Sequence, residues 1–83
     1  MLTLTPTMNN KESYDVRLID SSSSTEIDSC NIFSENSHKL LYKSALKKLE
    51  LEEDLSEYYT ESYGNRHVLK NKYQMYLIVI EKN

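Results

Sequence analysis

Residues 73–81 have the sequence Tyr-Gln-Met-Tyr-Leu-Ile-Val-Ile-Glu, which is the clearest strand pattern in the chain. Successive side chains of a β-strand point to opposite faces. From Tyr76 to Ile80 both of these faces are apolar, which is typical of a central strand covered on both sides. We therefore predict a strand over residues 73–81 at the centre of a sheet.

Two further strands are predicted near the start of the chain. Residues 13–20 alternate apolar with polar side chains, and residues 25–33 are a second strand. Ile27 falls on the face opposite Ile32 unless a bulge intervenes. The four serines at 21–24 favour a turn, because their hydroxyls bond to nearby backbone. The two strands therefore form a predicted hairpin.

A helix is predicted over residues 37–50, with Ser34 or Ser37 as its capping residue. Apolar residues recur at spacings of three and four and so line one helical face. This set comprises Leu40, Leu41, Tyr42, Ala45, Leu46 and Leu49. Lysines at every fourth position line the opposite face, namely Lys39, Lys43 and Lys47.

Residues 51–63 fit two structures. Leu51, Leu55, Tyr59 and Tyr63 recur at a spacing of four, which favours a second helix. The alternative is a strand over residues 58–63 that turns at Gly64-Asn65, since Tyr-Tyr-Thr favours a strand. We predict the helix.

Together these elements predict an α+β fold for the 83-residue chain. The expected architecture is an antiparallel sheet of about four strands packed on one or two helices, in the order β-β-α-(α)-β-β. The last two strands cover residues 66–69 and 73–81, with Asn71 in the turn between them. Residues 1–12 are predicted to be a flexible N-terminal arm, and residues 13–83 a single domain.

The sequence contains no recognisable catalytic or metal-binding motif. Cys30 lacks the surroundings of a nucleophile, and His38 and His67 are too scattered to complete a metal site with it. Gly64 is the only glycine, which excludes the common glycine-rich phosphate loops. We expect no enzymatic activity, no cofactor and no metal.

The same sequence features predict a cytoplasmic protein that does not enter a membrane. A small extracellular domain would usually carry several disulfides, whereas this chain has one cysteine. Its first residues do not resemble a signal peptide. The longest apolar run, residues 76–80, is far too short to cross a bilayer.

The charges are unevenly distributed, although the net charge is only −3. Residues 50–63 carry six acidic residues and no basic residue, interleaved with tyrosines. Such a stripe could present phosphate-like charge to a basic groove of a partner. The predicted partner-binding residues are Glu50, Glu53, Asp54, Glu57, Tyr58, Tyr59, Glu61 and Tyr63.

The leading functional hypothesis is a non-enzymatic protein-binding module that occludes a surface of a larger protein, such as a nucleic-acid-binding complex. Small acidic domains with few cysteines are frequent among phage-encoded inhibitors of host defence systems, including anti-CRISPR proteins. That analogy rests on size and charge.

Two alternatives remain open at the level of the sequence. One is direct binding of nucleic acid through basic residues that could contact phosphates. Those residues are Lys39, Lys43, Lys47, Arg66, Lys70 and Lys72. The other is a structural subunit that forms a homodimer or larger homo-oligomer, because a small domain gains stability from association.

Overall fold

The computed structural model describes residues 11–35, 37–52 and 54–83. These residues form an α+β fold with one antiparallel sheet and one α-helix, as the sequence predicts, but the sheet has five strands rather than four. The strands are β1 (Lys11–Asp20), β2 (Glu26–Glu35), β3 (Tyr58–Tyr63), β4 (Arg66–Asn71) and β5 (Tyr76–Lys82), and the helix is α1 (His38–Lys48).

The sheet has the strand order β2-β1-β5-β4-β3, and every neighbouring pair is antiparallel. β5 is therefore the central strand, as its apolar sequence predicts. β2 and β3 form the two edges. β1 begins at Lys11, so two residues of the predicted arm belong to the sheet, and residues 1–10 lie outside the described residues.

The predicted hairpin of β1 and β2 is present. The Asp20 carboxylate accepts hydrogen bonds from the backbone N–H and the hydroxyl of Ser22, at 2.8 and 2.6 Å. These bonds lower the pKa of Asp20. The register shifts between Leu18 and Ile19, where Ile27 is the extra residue of β2. The bulge places Ile32 opposite Tyr14 on the inner side of the pair.

One face of the sheet contributes to the hydrophobic core together with α1. Leu41, Tyr42, Ala45 and Leu46 are the buried residues of the helix. They belong to one buried cluster with sheet residues that alternate along each strand, namely Tyr14, Val16, Leu18, Ile32, Tyr58, Leu69, Ile78 and Ile80. Burial of this apolar surface is the main term that stabilises the fold. Ser37 is the N-cap residue, but its side chain makes no capping hydrogen bond.

The prediction of a helix over residues 51–63 is wrong. The backbone leaves α1 at Glu50, which has a φ of 58°. The chain then makes only a short 3₁₀ turn, Leu55–Glu57, before β3 begins at Tyr58. β3 forms backbone hydrogen bonds with β4 across a hairpin at Gly64, and glycine readily adopts the φ of 59° found there. Strand pairing and the aromatic, β-branched sequence outweigh the helical spacing.

The turn between β4 and β5 lies further along the chain than predicted. Asn71 is the last residue of β4, and its side-chain oxygen accepts a hydrogen bond from the Tyr73 N–H at 2.8 Å. Gln74 supplies the left-handed conformation instead, with a φ of 60°. β5 therefore starts at Tyr76 rather than at Tyr73.

Candidate binding surfaces

The second face of the sheet is not covered by a helix in the part of the chain that the structure describes. The register aligns on this face Tyr63 with Arg66, Glu61 with Val68, and Tyr59 with Lys70. The same face continues across β5 and β1, where its residues are Leu77, Val79, Glu81, Asp15, Arg17 and Ile19. We call this surface the open face. None of its residues belongs to the buried cluster that includes α1.

Two tyrosines project from the open face along the edge strand β3. Tyr59 is 62% exposed and Tyr63 is 58% exposed. The ammonium group of Lys72 lies 5.2 Å from the centre of the Tyr59 ring, which is a cation–π geometry. The side chain of Glu61 hydrogen-bonds to Tyr63, and this bond is the main cause of the raised pKa of Tyr63. Both rings therefore present large apolar areas beside charged groups.

Ion pairs frame the centre of the open face. Glu81 lies between Arg66, at 3.1 Å, and Arg17, at 3.9 Å. Lys70 and Glu61 approach to 3.8 Å. All of these side chains are about half exposed, so each pair contributes little to stability. These pairs place positively and negatively charged groups in alternation around the apolar residues of the open face.

Between these charges the open face has an apolar centre. Val79 is buried by its neighbours on the same face, while Val68, Leu77 and Ile19 are half-buried. They occupy neighbouring positions on β4, β5 and β1, so the apolar surface is continuous across three strands. Sequence analysis did not identify this surface. Its only sequence signal is the second apolar face of residues 76–80.

The structure does not place the predicted acidic stripe on one surface. Glu50 and Asp54 lie in the connection between α1 and β3, while Glu61 is on the open face. The Glu57 carboxylate accepts a hydrogen bond from the Tyr73 hydroxyl. Tyr58 is buried in the core, and Glu53 lies outside the described residues. The described members of the stripe are therefore divided between the connection after α1, the core and the open face.

The predicted basic residues also occupy separate places. Lys39, Lys43 and Lys47 are exposed on the outer side of α1. Arg66 and Lys70 are on the open face, which is the other side of the sheet, and Lys72 lies in the turn after β4. A single flat contact with nucleic acid could not use both groups.

A cluster of rings lies where α1 meets β4, in which Tyr14, Tyr42 and His67 are buried and His38 is exposed. The Tyr42 hydroxyl and His67 Nδ1 are joined by a hydrogen bond of 3.0 Å. The rings of His38 and Tyr14 flank His67, with centroids 4.9 and 6.4 Å from it. Burial, followed by the charge of His38, lowers the pKa of His67 from its usual value of 6.5. Burial raises the pKa of Tyr42. This hydrogen bond links the helix to the sheet.

The lowered pKa of His67 predicts that acidification destabilises the fold. The unfolded chain protonates His67 at a higher pH than the folded chain does, so it binds more protons as the pH falls. This contribution to stability is complete above pH 6.5 and is lost progressively below it. We expect the free energy of unfolding, measured by urea denaturation, to fall between pH 7.5 and pH 5.5.

The variant His67→Gln should remove most of that fall, because its amide stays neutral and can still hydrogen-bond to Tyr42. His38→Gln is the matched control, since His38 is exposed and should leave most of the pH dependence in place. An equal fall in wild type and His67→Gln would contradict the assignment.

Cys30 is a poor nucleophile in this setting. It is half-buried on β2, and burial raises the pKa of its thiol, with the charge of Asp28 adding to that effect and that of Lys48 opposing it. A raised pKa reduces the thiolate fraction at neutral pH. Within the described residues, no group of three or more His, Cys, Asp or Glu side chains could hold a metal ion.

No helix in the described ranges is both long and apolar enough to cross a membrane. Comparison with models of protein families, with curated proteins and with solved structures finds no match to this chain. The surfaces themselves therefore carry the functional argument.

Proposed function

We propose that the protein is a non-enzymatic protein-binding module that occludes a surface of a larger protein, and that the open face is the surface that binds. The observation that carries this proposal is the position of Tyr59 and Tyr63. Both project from the side of the sheet that no helix of the described residues covers, beside an apolar centre that spans three strands.

The chemistry of the open face suits a protein partner. Tyrosine is enriched among the residues that dominate binding energy, because its ring buries a large area at a small cost in conformational entropy. Arg66 and Arg17 share Glu81, so they are already oriented before a partner arrives. Alternating charges around an apolar centre favour binding of the partner in one specific orientation over nonspecific association.

The narrower form of the proposal concerns the kind of partner. An acidic inhibitor of a nucleic-acid-binding complex, such as a phage-encoded inhibitor of a host defence system, would use the exposed acidic residues after α1 to imitate phosphates. Glu50, Glu52 and Asp54 are exposed in that connection. Support for this form is the net charge of −3 and the small size of the chain, together with the local density of carboxylates.

The test is a comparative affinity capture from nuclease-treated lysate with wild type and the variant Tyr59→Ala/Tyr63→Ala. Truncating these two exposed tyrosines should weaken binding by at least about 3 kcal/mol, or a factor of more than about a hundred. We expect a stoichiometric protein in the wild-type eluate to be absent from the variant eluate. Isothermal calorimetry with the purified partner then gives the magnitude.

The matched control is Lys43→Ala/Lys47→Ala, which truncates two exposed side chains on the opposite side of the molecule. It should retain the partner. Urea denaturation should show that both double variants are as stable as wild type, since all four side chains are exposed. Undiminished capture by the tyrosine variant would overturn the assignment of the open face.

Direct binding of nucleic acid is a second candidate because Lys39, Lys43 and Lys47 form one exposed row on α1. A row of this kind can follow a phosphate backbone. The capture experiment separates the two functions when it is repeated without nuclease. Nucleic acid retained by wild type and lost by the lysine variant would favour this second candidate.

A further inference from the structure

β2 has an edge that is not paired in the described residues. Nine of its ten residues pair with β1, on one side only, and β2 is the first strand in the sheet order. An edge strand offers a row of backbone N–H and C=O groups to another strand. The regular part of β2, from Asp28 to Glu35, is long enough for an added strand of about eight residues.

The charge of this edge is of one sign. β2 carries Glu26, Asp28 and Glu35, all exposed, and has no basic residue. The four ion pairs found among the described residues use other carboxylates, those of Glu12, Glu61 and Glu81. None of the three carboxylates of β2 takes part in these four ion pairs, although Lys11 on β1 is the cross-strand partner of Glu35.

These charges disfavour a second copy of the chain as the occupant. A second β2 strand would bring three more carboxylates to this edge and no basic residue, so it could form no opposite-charge pair there. A strand with basic residues opposite Asp28 and Glu35 would instead form two such pairs.

Apolar side chains add to the same edge. Phe33 is 72% exposed on the side of the open face, and Ile27 is exposed in the bulge. Side chains of an added strand alternate between two faces, so those next to Phe33 would be apolar or aromatic. The edge thus combines hydrogen-bonding backbone, one sign of charge and an aromatic contact.

From these features we infer that the edge of β2 binds an extended, basic segment of a protein partner by strand addition. This inference rests on the proposed protein-binding function, but it uses a surface distinct from Tyr59 and Tyr63. The partner segment has Lys or Arg opposite Asp28 and Glu35, with apolar side chains between them. The main chain supplies affinity, and the charges select the sequence and its register.

The experiment uses two blocked, dye-labelled peptides that differ only at their ends, Lys-Thr-Val-Thr-Val-Thr-Val-Lys and Glu-Thr-Val-Thr-Val-Thr-Val-Glu. Fluorescence anisotropy measures their affinity for the full chain. The lysine peptide should bind at least about tenfold more tightly, because two attractive pairs replace two repulsive ones. In ¹H–¹⁵N spectra, the largest amide shifts should fall on β2.

The variant Asp28→Lys/Glu35→Lys should reverse the preference, so that the glutamate peptide binds more tightly. Glu52→Lys/Glu61→Lys makes the same change in charge in the connection before β3 and on β3, the opposite edge strand, and should keep the preference for lysine. Equal affinity of wild type for the two peptides, or no binding of the lysine peptide at millimolar concentration, overturns the inference. So do amide shifts centred on β3 or on α1.

The peptide comparison with wild type does not depend on the folding of any variant. It also separates this inference from the proposed function. Tyr59→Ala/Tyr63→Ala should still bind the lysine peptide, because neither tyrosine lies on β2. Loss of the cellular partner without loss of the peptide supports both surfaces. Sedimentation of wild type as a dimer that blocks the peptide would assign the edge to a second copy instead.

Discussion

Replacing Ile78 with alanine should lower the free energy of unfolding by about 3–4 kcal/mol, the largest effect that we expect from a single substitution. Ile78 lies on the central strand with no exposed surface, between Leu18 on β1 and Leu69 on β4. The change removes three buried carbon atoms and leaves a cavity that the flanking strands cannot easily fill. A domain of this size has a total stability of about 4–12 kcal/mol.

Urea denaturation followed by circular dichroism measures the effect, and Ile27→Ala is the matched control. Ile27 is exposed in the bulge of β2, so its truncation should change the stability by less than about 0.5 kcal/mol. Comparable losses for the two variants would contradict the position of β5 at the centre of the core.

The second large effect concerns the docking of α1. Leu40 and Leu41 are neighbours in the sequence, but Leu41 is 1% exposed and Leu40 is 48% exposed. Leu41→Ala should therefore cost about 3 kcal/mol, and Leu40→Ala less than about 1 kcal/mol. The helix propensities of leucine and alanine are similar, so the difference between the variants reports packing rather than helix formation.

The same denaturation series decides how α1 is oriented. If Leu40→Ala were the costlier change, the helix would face the sheet through a different stripe. The Lys39, Lys43 and Lys47 row would then turn toward the protein instead of away from it. The pair of variants thus also tests which side of the molecule is available for binding.

The sequence predicts the fold well where a pattern fits only one period. Residues 13–18 alternate polar with apolar side chains, and the apolar spacing of residues 37–50 fits only a helix. Residues 51–63 are different, because a spacing of four places side chains on one face in a helix and also in a strand. Tyr59 and Tyr63 do share a face, as the spacing requires, but it is a face of β3. Pairing with β4 resolves the ambiguity, and that contact is not local.

The candidate surfaces were less predictable than the fold for a related reason. Residues 76–80 are apolar on both faces, so their sequence does not indicate which face the helix covers. The pattern is typical of a strand covered on both sides, whereas in the described residues a helix packs against one face of the sheet. The acidic stripe was inferred from the charge content of residues 50–63, and charge content does not determine which side chains share a surface. The edge position of β2 depends on the strand order, which periodicity does not determine.

The pairing of β1 with β5 has a consequence for how the chain folds. Leu18 and Ile78 are partners although about 60 residues separate them, whereas β1–β2 and β3–β4–β5 are joined by short turns. Closing that long loop costs entropy before any contact repays it. We expect two local units, the β1–β2 hairpin and the β3–β4–β5 meander, to form first, and their docking along the β1–β5 seam to limit the folding rate. The centre of the sheet should then be the last part to assemble.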